Sequence, residues 1–439
     1  MNNITPVSDA LMCSSCGACK AICPKDAINF KYSSIGRKYA TVNTACINCG
    51  LCVKVCPSLK TEINPKCSNK NDDKYIGTVL DIMTGKANDK EIFSKAQSGG
   101  ICIAILTYLF HANKIDAAIV CKMSFGKTPN VYGTIVTSSK ELLECQKSCY
   151  TPVELLAILN KAEKYSSIAI VGLPCHIQGA ESLIQHSKKF HNIKYRIGLI
   201  CDRTLCQGIE NAMLSYCQEL DNVKIDWRRK DFIKDNIYYS YKSAPVVVYS
   251  KQGDEYILPN LYRITLKEMY TPPRCRVCYD KLNTSADIVL GDPWGMSDID
   301  NKKGNSVIII RTEIGEDIIY NSQKARYISC KKANLDELLN GQYINKRKQN
   351  VSYYSKALSV IPQKIDSYLY DQQDVNLLTK KLIKKAEKDI KQFMRYENLQ
   401  PEEVLIQARK LIAHAKRHEK LNKFALIRFL KIIKSILLK

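Results

Sequence analysis

Apolar runs separated by turn-forming residues recur through the middle of the chain, and their lengths alternate between helix-like and strand-like. The run ICIAILTYLF follows the turn QSGG at 97–100 and predicts a buried helix that begins at a glycine turn. Short apolar runs predict strands at 115–121, 168–171 and 195–200, and amphipathic stretches predict helices at 154–164 and 177–185. This alternation predicts an α/β layer around a largely parallel sheet.

The pattern changes after this layer. Residues 222–270 are richer in Tyr, Val and charge, and the alternation around 236–249 predicts a β-rich subregion. Further strands are predicted at 286–290 and 306–311, and from about residue 335 the pattern is mainly helical.

Two cysteine runs near the N-terminus share one spacing. Each reads C-x2-C-x2-C-x3-C-P, which is the spacing of bacterial two-cluster ferredoxins. Three thiolates two residues apart wrap one face of an iron–sulfur cubane, and the fourth points toward the other cubane. The spacing therefore predicts two [4Fe–4S] clusters, one held by Cys13, Cys16, Cys19 and Cys56 and the other by Cys46, Cys49, Cys52 and Cys23.

Other uses of these thiols fit the sequence less well. Zinc motifs usually show paired C-x2-C steps rather than a triple step followed by x3-C-P. Disulfides need an oxidising compartment, and no signal peptide is visible. Twenty cysteines without an export signal predict the reducing cytoplasm of an anaerobe.

Four further cysteines suggest a third metal site. Cys275 and Cys278 have metal-ligand spacing, whereas Cys175 and Cys201 each end an apolar strand and would meet at one edge of the sheet. Together the four would form a tetrathiolate site. For Cys175 and Cys201, a role as small buried hydrophobes stays equally open. The remaining cysteines are interpreted as structural or ordinary thiols: Cys67, Cys102, Cys121, Cys145, Cys149, Cys206, Cys217 and Cys330.

These patterns predict an α/β fold, α+β overall, in four segments. A bacterial-type ferredoxin module occupies 1–66 and a linker 67–90, followed by an α/β domain with the third site at 91–345. A helical, basic tail follows at 346–439.

Charge changes the picture mainly at the C-terminus. Of the formal net charge of +23, residues 380–439 contribute +11, from 17 Lys/Arg and 6 Asp/Glu. Nucleic acid is not an expected partner, because no basic–aromatic binding module occurs. No uncharged apolar stretch reaches about 18 residues, so no membrane-spanning helix is expected. Residues 421–439 predict an amphipathic helix that either lies on an anionic membrane or packs on protein.

Five motifs occur in a characteristic order: QSGG (97–100), GLPCHIQG (172–179), GLICD (198–202), CRVC (275–278) and ADIVLGDPWG (286–295). As a set they resemble the family formed by the beta subunits of the F420-reducing hydrogenases and formate dehydrogenases, over roughly residues 1–345. The resemblance implies an iron–sulfur flavoprotein that binds FAD and a third [4Fe–4S] cluster at the four further cysteines.

The resemblance also implies which segments lie near the flavin. These are the turn Gln97, Ser98, Gly99 and Gly100, and the segment around Ser148 and Tyr150. The family usually has a basic residue where Cys149 stands, so this sequence departs from the pattern there.

The leading functional hypothesis is a flavin-dependent oxidoreductase. Ferredoxin or a similar one-electron donor would load the N-terminal clusters, and electrons would pass through the third cluster to FAD and a small-molecule substrate. His176 either protonates the substrate or supports the site structurally. Asp292 and Trp294 either line the flavin pocket or form a rigid turn, and Asp202 and Arg203 are weaker candidates for facing the site.

Two alternatives remain open from the sequence. The chain is either an F420-dependent subunit that relays electrons within a hydrogenase or dehydrogenase complex, or an electron carrier that binds no flavin. The expected location is the cytoplasm, with peripheral contact at the inner face of the membrane if the C-terminal helix binds lipid.

Overall fold

The structure is a computed structural model that describes residues 2–59, 73–217, 220–230, 232–234, 236–240, 243–300, 302–361 and 377–437. Side chains within these ranges are described except at 232, 234, 377, 378 and 422–437. Cys67 and part of the predicted linker lie outside the described residues.

The strands in chain order are β1 (Ile28–Tyr32), β2 (Lys38–Val42), β3 (Asp81–Ala87), β4 (Ala117–Ser124), β5 (Asn130–Val136), β6 (Ile168–Gly172), β7 (Ile193–Leu199), β8 (Val223–Asp226), β9 (Phe232–Lys234), β10 (Ile237–Tyr239), β11 (Val246–Ser250), β12 (Glu255–Leu258), β13 (Ile288–Gly291), β14 (Ser306–Ile310) and β15 (Ile328–Lys332). The α-helices in chain order are α1 (Thr5–Asp9), α2 (Ala18–Ile22), α3 (Leu51–Lys54), α4 (Lys90–Lys95), α5 (Ile101–His111), α6 (Ser139–Leu142), α7 (Pro174–His186), α8 (Gly208–Leu214), α9 (Asn260–Leu266), α10 (Pro273–Arg276), α11 (Glu313–Lys324), α12 (Leu335–Gly341), α13 (Ile344–Ala357), α14 (Leu377–Glu397) and α15 (Pro401–Leu437).

An eight-stranded sheet organises the molecule, in the order β15-β3-β14-β13-β7-β6-β4-β5. Its four central strands, β13, β7, β6 and β4, are parallel to one another. The strands on both sides pair antiparallel. β6 and β14 are buried along their whole length, as expected for strands that are covered on both faces. The predicted α/β sheet is confirmed, but the expectation that it is largely parallel is wrong, because four of its seven strand pairings are antiparallel.

Several local predictions need correction. The segment predicted as a helix at 154–164 contains a 3-10 helix, Leu155–Lys161. Residues 81–87 of the predicted linker form β3, which pairs with β14 and β15 inside the sheet. The buried positions of β3 take part in the core, so this part of the chain is not a connection between domains.

The β-rich subregion and the helical C-terminus are both present. β12, β11 and β8 form a three-stranded antiparallel sheet, and β10 pairs with β9. At the C-terminus α14 packs against α13, and α15 packs against α8 and α9. No helix among the described residues combines the length and apolarity needed to cross a bilayer.

The ferredoxin-like module at the N-terminus is packed into the rest of the molecule. Its buried residues Ile4, Met12 and Ile35 share one apolar core with Ile209 of α8 and Phe393 of α14. The backbone of Gln207 donates a hydrogen bond to the carbonyl of Gly36 at 2.8 Å. The module and the sheet domain therefore form a continuous structure.

Candidate functional site

The two cysteine loops of the N-terminal module repeat one backbone shape. Ser15 and Gly17 have φ values of 61° and 91°, and Asn48 and Gly50 have 54° and 76° at the equivalent positions. Each glycine caps the short helix, α2 or α3, that carries the third cysteine of its run. The internal repeat in the sequence is therefore also a repeat of local structure.

Backbone amides point at the cysteine sulfurs in these loops. The amides of Ser15 and Ala40 donate to Cys13 Sγ at 3.4 Å. At the second predicted cluster, the amide of Asn48 donates to Cys46 Sγ at 3.4 Å, and the amide of Ala27 donates to Cys23 Sγ at 3.3 Å. Such bonds stabilise negative charge on sulfur, which is the state in which thiolates bind iron.

The surroundings of the eight thiols bear on the predicted crossing between the two runs. Cys23, the last cysteine of the first run, lines one small cavity with Cys46, Cys49 and Cys52 of the second run. Burial raises the pKa of Cys19, and the nearby thiolates of Cys16, Cys13 and Cys56 raise it further, as does that of Cys52 from the other predicted group. The cavity therefore brings Cys23 to the second run, as the crossing predicts, whereas Cys19 interacts with thiols of both predicted groups.

Burial alone would keep several of these thiols protonated. It raises the pKa of Cys16 to about 11 and that of Cys56 to about 12. Thiolates at such positions are favourable only when a positive charge compensates them, as bound iron does. The donor set therefore fits iron–sulfur clusters on its chemistry.

A second group of four thiols lies at the centre of the sheet domain. Burial raises the pKa of Cys175, and the thiolates of Cys16, Cys201, Cys278 and Cys275 raise it further. Cys175 lies in the first turn of α7, so the expectation that it ends a strand is corrected. Cys201 does follow a strand, two residues after the end of β7.

Arg347 of α13 binds the backbone around this group. Its guanidinium donates to the carbonyl oxygens of Cys278 at 2.8 Å, Cys275 at 3.2 Å and Asp202 at 3.0 Å. The hydroxyl of Thr204 lies 3.4 Å from Cys275 Sγ. Nothing in the local sequence around residue 347 marks Arg347 for this role, because its partners come from distant segments.

The two thiol groups meet at a glycine. Gly179 lies one helical turn after Cys175 on α7, and a Cβ placed on it would lie 3.6 Å from Cys16 Sγ and 3.1 Å from Ala18 Cβ. The amide of Leu156 donates to the carbonyl of Cys16 at 2.9 Å on the other side. Cys16 therefore lies between its own group and the group that contains Cys175.

Among the described residues, no three His, Cys, Asp or Glu side chains are arranged to hold a metal ion directly, and none of the nineteen described cysteines forms a disulfide. The assignment of individual thiols to clusters consequently rests on spacing, grouping and donor chemistry, and it stays a prediction.

A large cleft opens above the second thiol group. Its volume is about 630 Å³, which is within the range of cofactor pockets. Cys201 lies in its wall, and so do most of the predicted flavin-site residues. Those that line the cleft are Gln97, Ser98, Gly100, Ser148, Tyr150, His176, Asp292 and Trp294.

Comparison with protein families identifies the chain. Two models describe the beta subunits of coenzyme F420 hydrogenase/dehydrogenase; residues 82–160 match the N-terminal model and residues 165–335 the C-terminal one. Residues 12–59 match a 4Fe-4S dicluster domain. The chain belongs to the family of coenzyme F420 hydrogenase/dehydrogenase beta subunits. It is an iron–sulfur member of that family.

Several relatives are similar over most of the chain. A subunit of the F(420)H(2) dehydrogenase of Methanosarcina mazei is 27% identical over 70% of this chain and 80% of its own length. The beta subunit of the coenzyme F420 hydrogenase of Methanococcus voltae is 27% identical over 60% and 88%. A coenzyme F420-dependent sulfite reductase of Methanocaldococcus jannaschii is 25% identical over 72% of this chain and 46% of its own.

A solved structure shares the fold. A chain of the F420-reducing [NiFe] hydrogenase complex from Methanosarcina barkeri superposes with a TM-score of 0.52 at 20% identity, covering 66% of this chain and 94% of that chain. At this identity the likeness concerns the fold alone, and it supports the mixed α/β architecture.

In this family member, the predicted turn and loop residues contact one another in the cleft wall. Gln97 Nε2 donates to Tyr150 Oη at 3.2 Å, and the Ser148 amide donates to Gln97 Oε1 at 3.1 Å. Tyr150 packs edge-on against the buried ring of Trp227. Gly99 packs against the backbones of Gly85 and Ser306 instead of lining the cleft.

The two predicted residues of the GDPWG turn are linked through an arginine. Asp292 forms an ion pair with Arg228, whose guanidinium carbon lies 5.0 Å from the centre of the Trp294 ring. Gln342 donates to the Asp292 carbonyl at 2.8 Å. These contacts fix the turn, and both residues line the cleft; their contact with a flavin stays a prediction.

His176 is buried with both ring nitrogens in hydrogen bonds. Nδ1 accepts from the amide of Leu173 at 3.2 Å, so Nε2 carries the proton and donates to the carbonyl of Val153 at 3.0 Å. Burial lowers the pKa of His176 to about 4. These contacts favour the structural role, in which His176 fixes the turn before Cys175, and its catalytic role stays a prediction.

Asp202 and Arg203 line the cleft and pair with each other. Although burial opposes it, Arg203, Arg347, Lys281 and Lys267 hold the pKa of Asp202 well below its usual range. Asp202 therefore carries a negative charge beside the Cys201 thiol.

Sequence reasoning missed the cationic character of the cleft. Its lining includes the basic side chains of Lys147, Arg203, Arg228, Arg263, Lys267 and Lys281. Arg263 lies 5.8 Å from the ring centre of Tyr150. These residues belong to widely separated segments, so no local motif announces them. A cleft of this charge suits ligands with phosphate or carboxylate groups.

Proposed function

We propose that this chain is an electron-relay oxidoreductase subunit. It would exchange a pair of electrons with a flavin-type coenzyme in the cleft and single electrons with a protein partner. Three [4Fe–4S] clusters would connect the two, held by Cys13, Cys16, Cys19 and Cys56; by Cys46, Cys49, Cys52 and Cys23; and by Cys175, Cys201, Cys275 and Cys278.

One observation carries the proposal. Cys201 lies in the cleft wall, and its group contacts the N-terminal module where Cys16 faces Gly179 of α7. A contiguous series of thiol groups therefore leads from the cleft into the ferredoxin-like module. An electron carrier that binds no flavin would need no such connection between its clusters and a cleft in a second domain.

FAD fits the cleft on volume and charge. Gly100, with a φ of 78°, is the N-cap of α5, and Ile101 at the start of this helix lines the cleft beside it. Such an N-terminus suits a phosphate group, and Arg263 and Lys147 add positive charge. When bound, a flavin supplies the conversion between two-electron and one-electron transfer.

The protein's own residues would then position and shield the coenzyme. Gln97, Ser148 and Tyr150 hold one wall through their mutual hydrogen bonds. Apolar residues Ile103, Leu106 and Val120 line the cleft beside them and exclude water. Gln97 is the predicted cofactor contact whose hydrogen bonds join the QSGG turn to the 148–150 segment.

Relay with coenzyme F420 is favoured over a self-contained FAD oxidoreductase. The relatives named above are F420H2 dehydrogenase, F420 hydrogenase and F420-dependent sulfite reductase proteins. A deazaflavin with its anionic side chain suits the basic lining of the cleft. The substrate side of this chain would thus be the coenzyme itself, and ferredoxin or another protein of the complex would be the partner.

A cofactor inventory tests the proposal. Full-length protein prepared and reconstituted without oxygen is expected to hold about 12 iron and 12 sulfide per chain, four of each per cluster, and to release FAD on denaturation. Substituting Cys201→Ser is expected to remove about 4 iron and leave the N-terminal clusters. Zinc in place of iron, or protein that binds no flavin, would contradict it.

Contact with a membrane is a separate proposal for the C-terminus. The backbone of α15 is helical to Leu437, whereas the side chains of 422–437 lie outside the described residues. Co-sedimentation with anionic liposomes, compared between the full chain and a chain ending at residue 420, tests it. Equal pelleting of the two would remove the membrane contact and leave a protein contact.

A further inference from the structure

The two cysteine loops of the N-terminal module have the same backbone shape but different surroundings. We call 13–17 the inner loop and 46–50 the outer loop. Their glycines, Gly17 and Gly50, both have positive φ and both begin a helix. The difference between the loops therefore does not come from their own conformation but from what covers them.

The inner loop is enclosed by the sheet domain. A Cβ on Gly17 would lie 2.5 Å from the amide nitrogen of Ala157 and 2.8 Å from the carbonyl oxygen of Glu154. Cys16 is only 6% exposed. No protein partner can approach the inner loop while the module is in place.

The outer loop is open. Among the residues that the structure describes, a Cβ on Gly50 would meet no atom within 4 Å. Cys49, the equivalent of Cys16, is exposed, and Ile47 is 58% exposed. The residue equivalent to Ile47 in the inner loop is Ser14. Ile47 is therefore a solvent-exposed apolar side chain beside the exposed Cys49. Along the series of thiol groups, the outer loop is the point farthest from the cleft.

Lys25 lines the same small cavity as Ile47 and Cys49, and lysines dominate the charge of the neighbouring sequence. The two segments 20–31 and 43–54 carry Lys20, Lys25, Lys31 and Lys54 and a single carboxylate, Asp26. Asp26 pairs with Lys20 at 2.9 Å. Lys25, Lys31 and Lys54 are exposed. The surface therefore combines a small apolar centre with a basic rim, an arrangement that attracts an acidic partner and orients it.

We propose that the outer loop, with Ile47 at its centre and Lys25, Lys31 and Lys54 at its rim, is the docking surface for an acidic one-electron carrier protein of the ferredoxin class. The inference rests on the proposed relay function. It specifies the surface on which the partner docks and the cluster that receives its electron. One electron leaves the carrier and enters the cluster assigned to Cys46, Cys49, Cys52 and Cys23. The carrier is oxidised by one electron, no bond forms, and no proton moves.

Cross-linking tests the surface without relying on activity. The full chain is incubated with an acidic [2Fe–2S] ferredoxin and a carbodiimide, which joins lysine amines to carboxylates in direct contact. We expect cross-links at Lys25, Lys31 or Lys54. Residues 380–439 of the same chain are also rich in lysine and could cross-link to the carrier instead, so they serve as an internal control. Cross-links confined to that C-terminal segment would overturn the proposal.

Electron-transfer kinetics test it independently. Reduced [2Fe–2S] ferredoxin is mixed with the oxidised, cluster-loaded chain, and its oxidation is followed at its own absorption bands. For Lys25→Glu we expect a second-order rate constant about 3- to 10-fold lower at low salt, with the difference fading as salt rises. For Ile47→Asp we expect at least a similar loss.

The controls separate docking from damage to the clusters. Ile314→Asp alters a residue of α11 that is 42% exposed and is expected to leave the rate unchanged. Iron content and the rate with reduced methyl viologen, a small cationic donor, report on the clusters themselves. Wild-type rates with ferredoxin in both outer-loop variants would sink the docking surface. Absence of electron uptake from either donor in the wild type would instead refute the proposed relay.

Discussion

At the scale of single residues, the cleft region contains a buried carboxyl group that the relay does not use. Glu210 of α8 is fully buried, and the hydroxyl of Thr151, a cleft residue, donates to its Oε1 at 3.2 Å. Burial raises the pKa of Glu210 to about 8, although hydrogen bonds from Thr151 and Gln207 oppose the shift. The folded protein therefore keeps this group protonated at pH values where the unfolded chain ionises it.

The sign of the effect on stability follows from proton binding. Between the ordinary pKa of Glu and about 8, the folded state binds more protons than the unfolded state, so stability falls as pH rises. Glu210→Gln removes this contribution. Urea denaturation gives the free energy of unfolding of both proteins at each pH. We expect the value for the variant minus that for the wild type to increase by about 1 kcal/mol per pH unit from pH 5.5 to 8. Parallel curves for the two proteins would show that Glu210 ionises normally.

His176 illustrates what a motif can and cannot disclose. The motif GLPCHIQG places His176 beside Cys175, and proximity to a cysteine ligand suggests chemistry. The carbonyl of Val153 and the amide of Leu173 occupy its two nitrogens. Because Val153 lies 23 residues away, the sequence alone does not show that the imidazole is already satisfied.

At the scale of elements, apolar runs predicted the sheet well and its edges less well. β6 and β14 were recognisable since both faces are buried and the runs are continuous. β3 was missed because Asp81, Thr84 and Lys86 interrupt its apolar positions in the sequence, although Thr84 is itself buried. The start of α7 at Pro174 was also missed, although proline suits the first turn of a helix.

Helix α7 is the element on which the connection between the two thiol groups depends. A side chain at Gly179 would lie 2.7 Å from Leu156 Cδ1 and 3.1 Å from Ala18 Cβ, both of which are held by tight packing. Gly179→Val is expected to push the N-terminal module from α7 and to destabilise the protein by about 1–3 kcal/mol, as overpacking does.

The matched control introduces the same residue on the exposed face of the same helix. Gln185→Val changes an exposed position of α7 and is expected to shift the urea midpoint by less than about 0.5 kcal/mol in free energy. If Gly179→Val were equally well tolerated, the contact between α7 and α2 would not be as close as the structure has it.

At the scale of the whole molecule, the N-terminal module is joined to helix α14, which lies far along the chain. Glu397, at the end of α14, accepts from Arg37 Nη2 at 2.8 Å and Nε at 3.0 Å, and from Ser33 Oγ at 2.5 Å. The side chains of Arg37 and Glu397 are 6% and 12% exposed. The sequence predicted a basic tail by its charge, but Ile390 and Phe393 of α14 belong to the core. Because Arg37 and Glu397 are 360 residues apart, no local sequence pattern predicts their contact.

Removing one partner of this buried pair should be costly. Glu397→Gln leaves the Arg37 guanidinium buried beside a neutral group, and we expect a loss of about 3 kcal/mol in the free energy of unfolding. Glu91→Gln breaks the exposed pair with Lys95, whose side chains are more than half exposed, and should cost less than about 0.5 kcal/mol. Equal losses in the two variants would mean that α14 does not clamp the N-terminal module.

The central claim is that the cleft and the N-terminal module form one electron path through the thiol group of Cys175, Cys201, Cys275 and Cys278. The most direct test mixes reduced coenzyme F420 with FAD-reconstituted protein in the absence of oxygen and of any other acceptor, and follows the cluster absorbance by stopped flow. The account predicts that the clusters bleach in the wild type, whereas in Cys201→Ser the flavin is reduced and the N-terminal clusters stay oxidised. Clusters that stay oxidised in the wild type, or that bleach equally fast in Cys201→Ser, would contradict it.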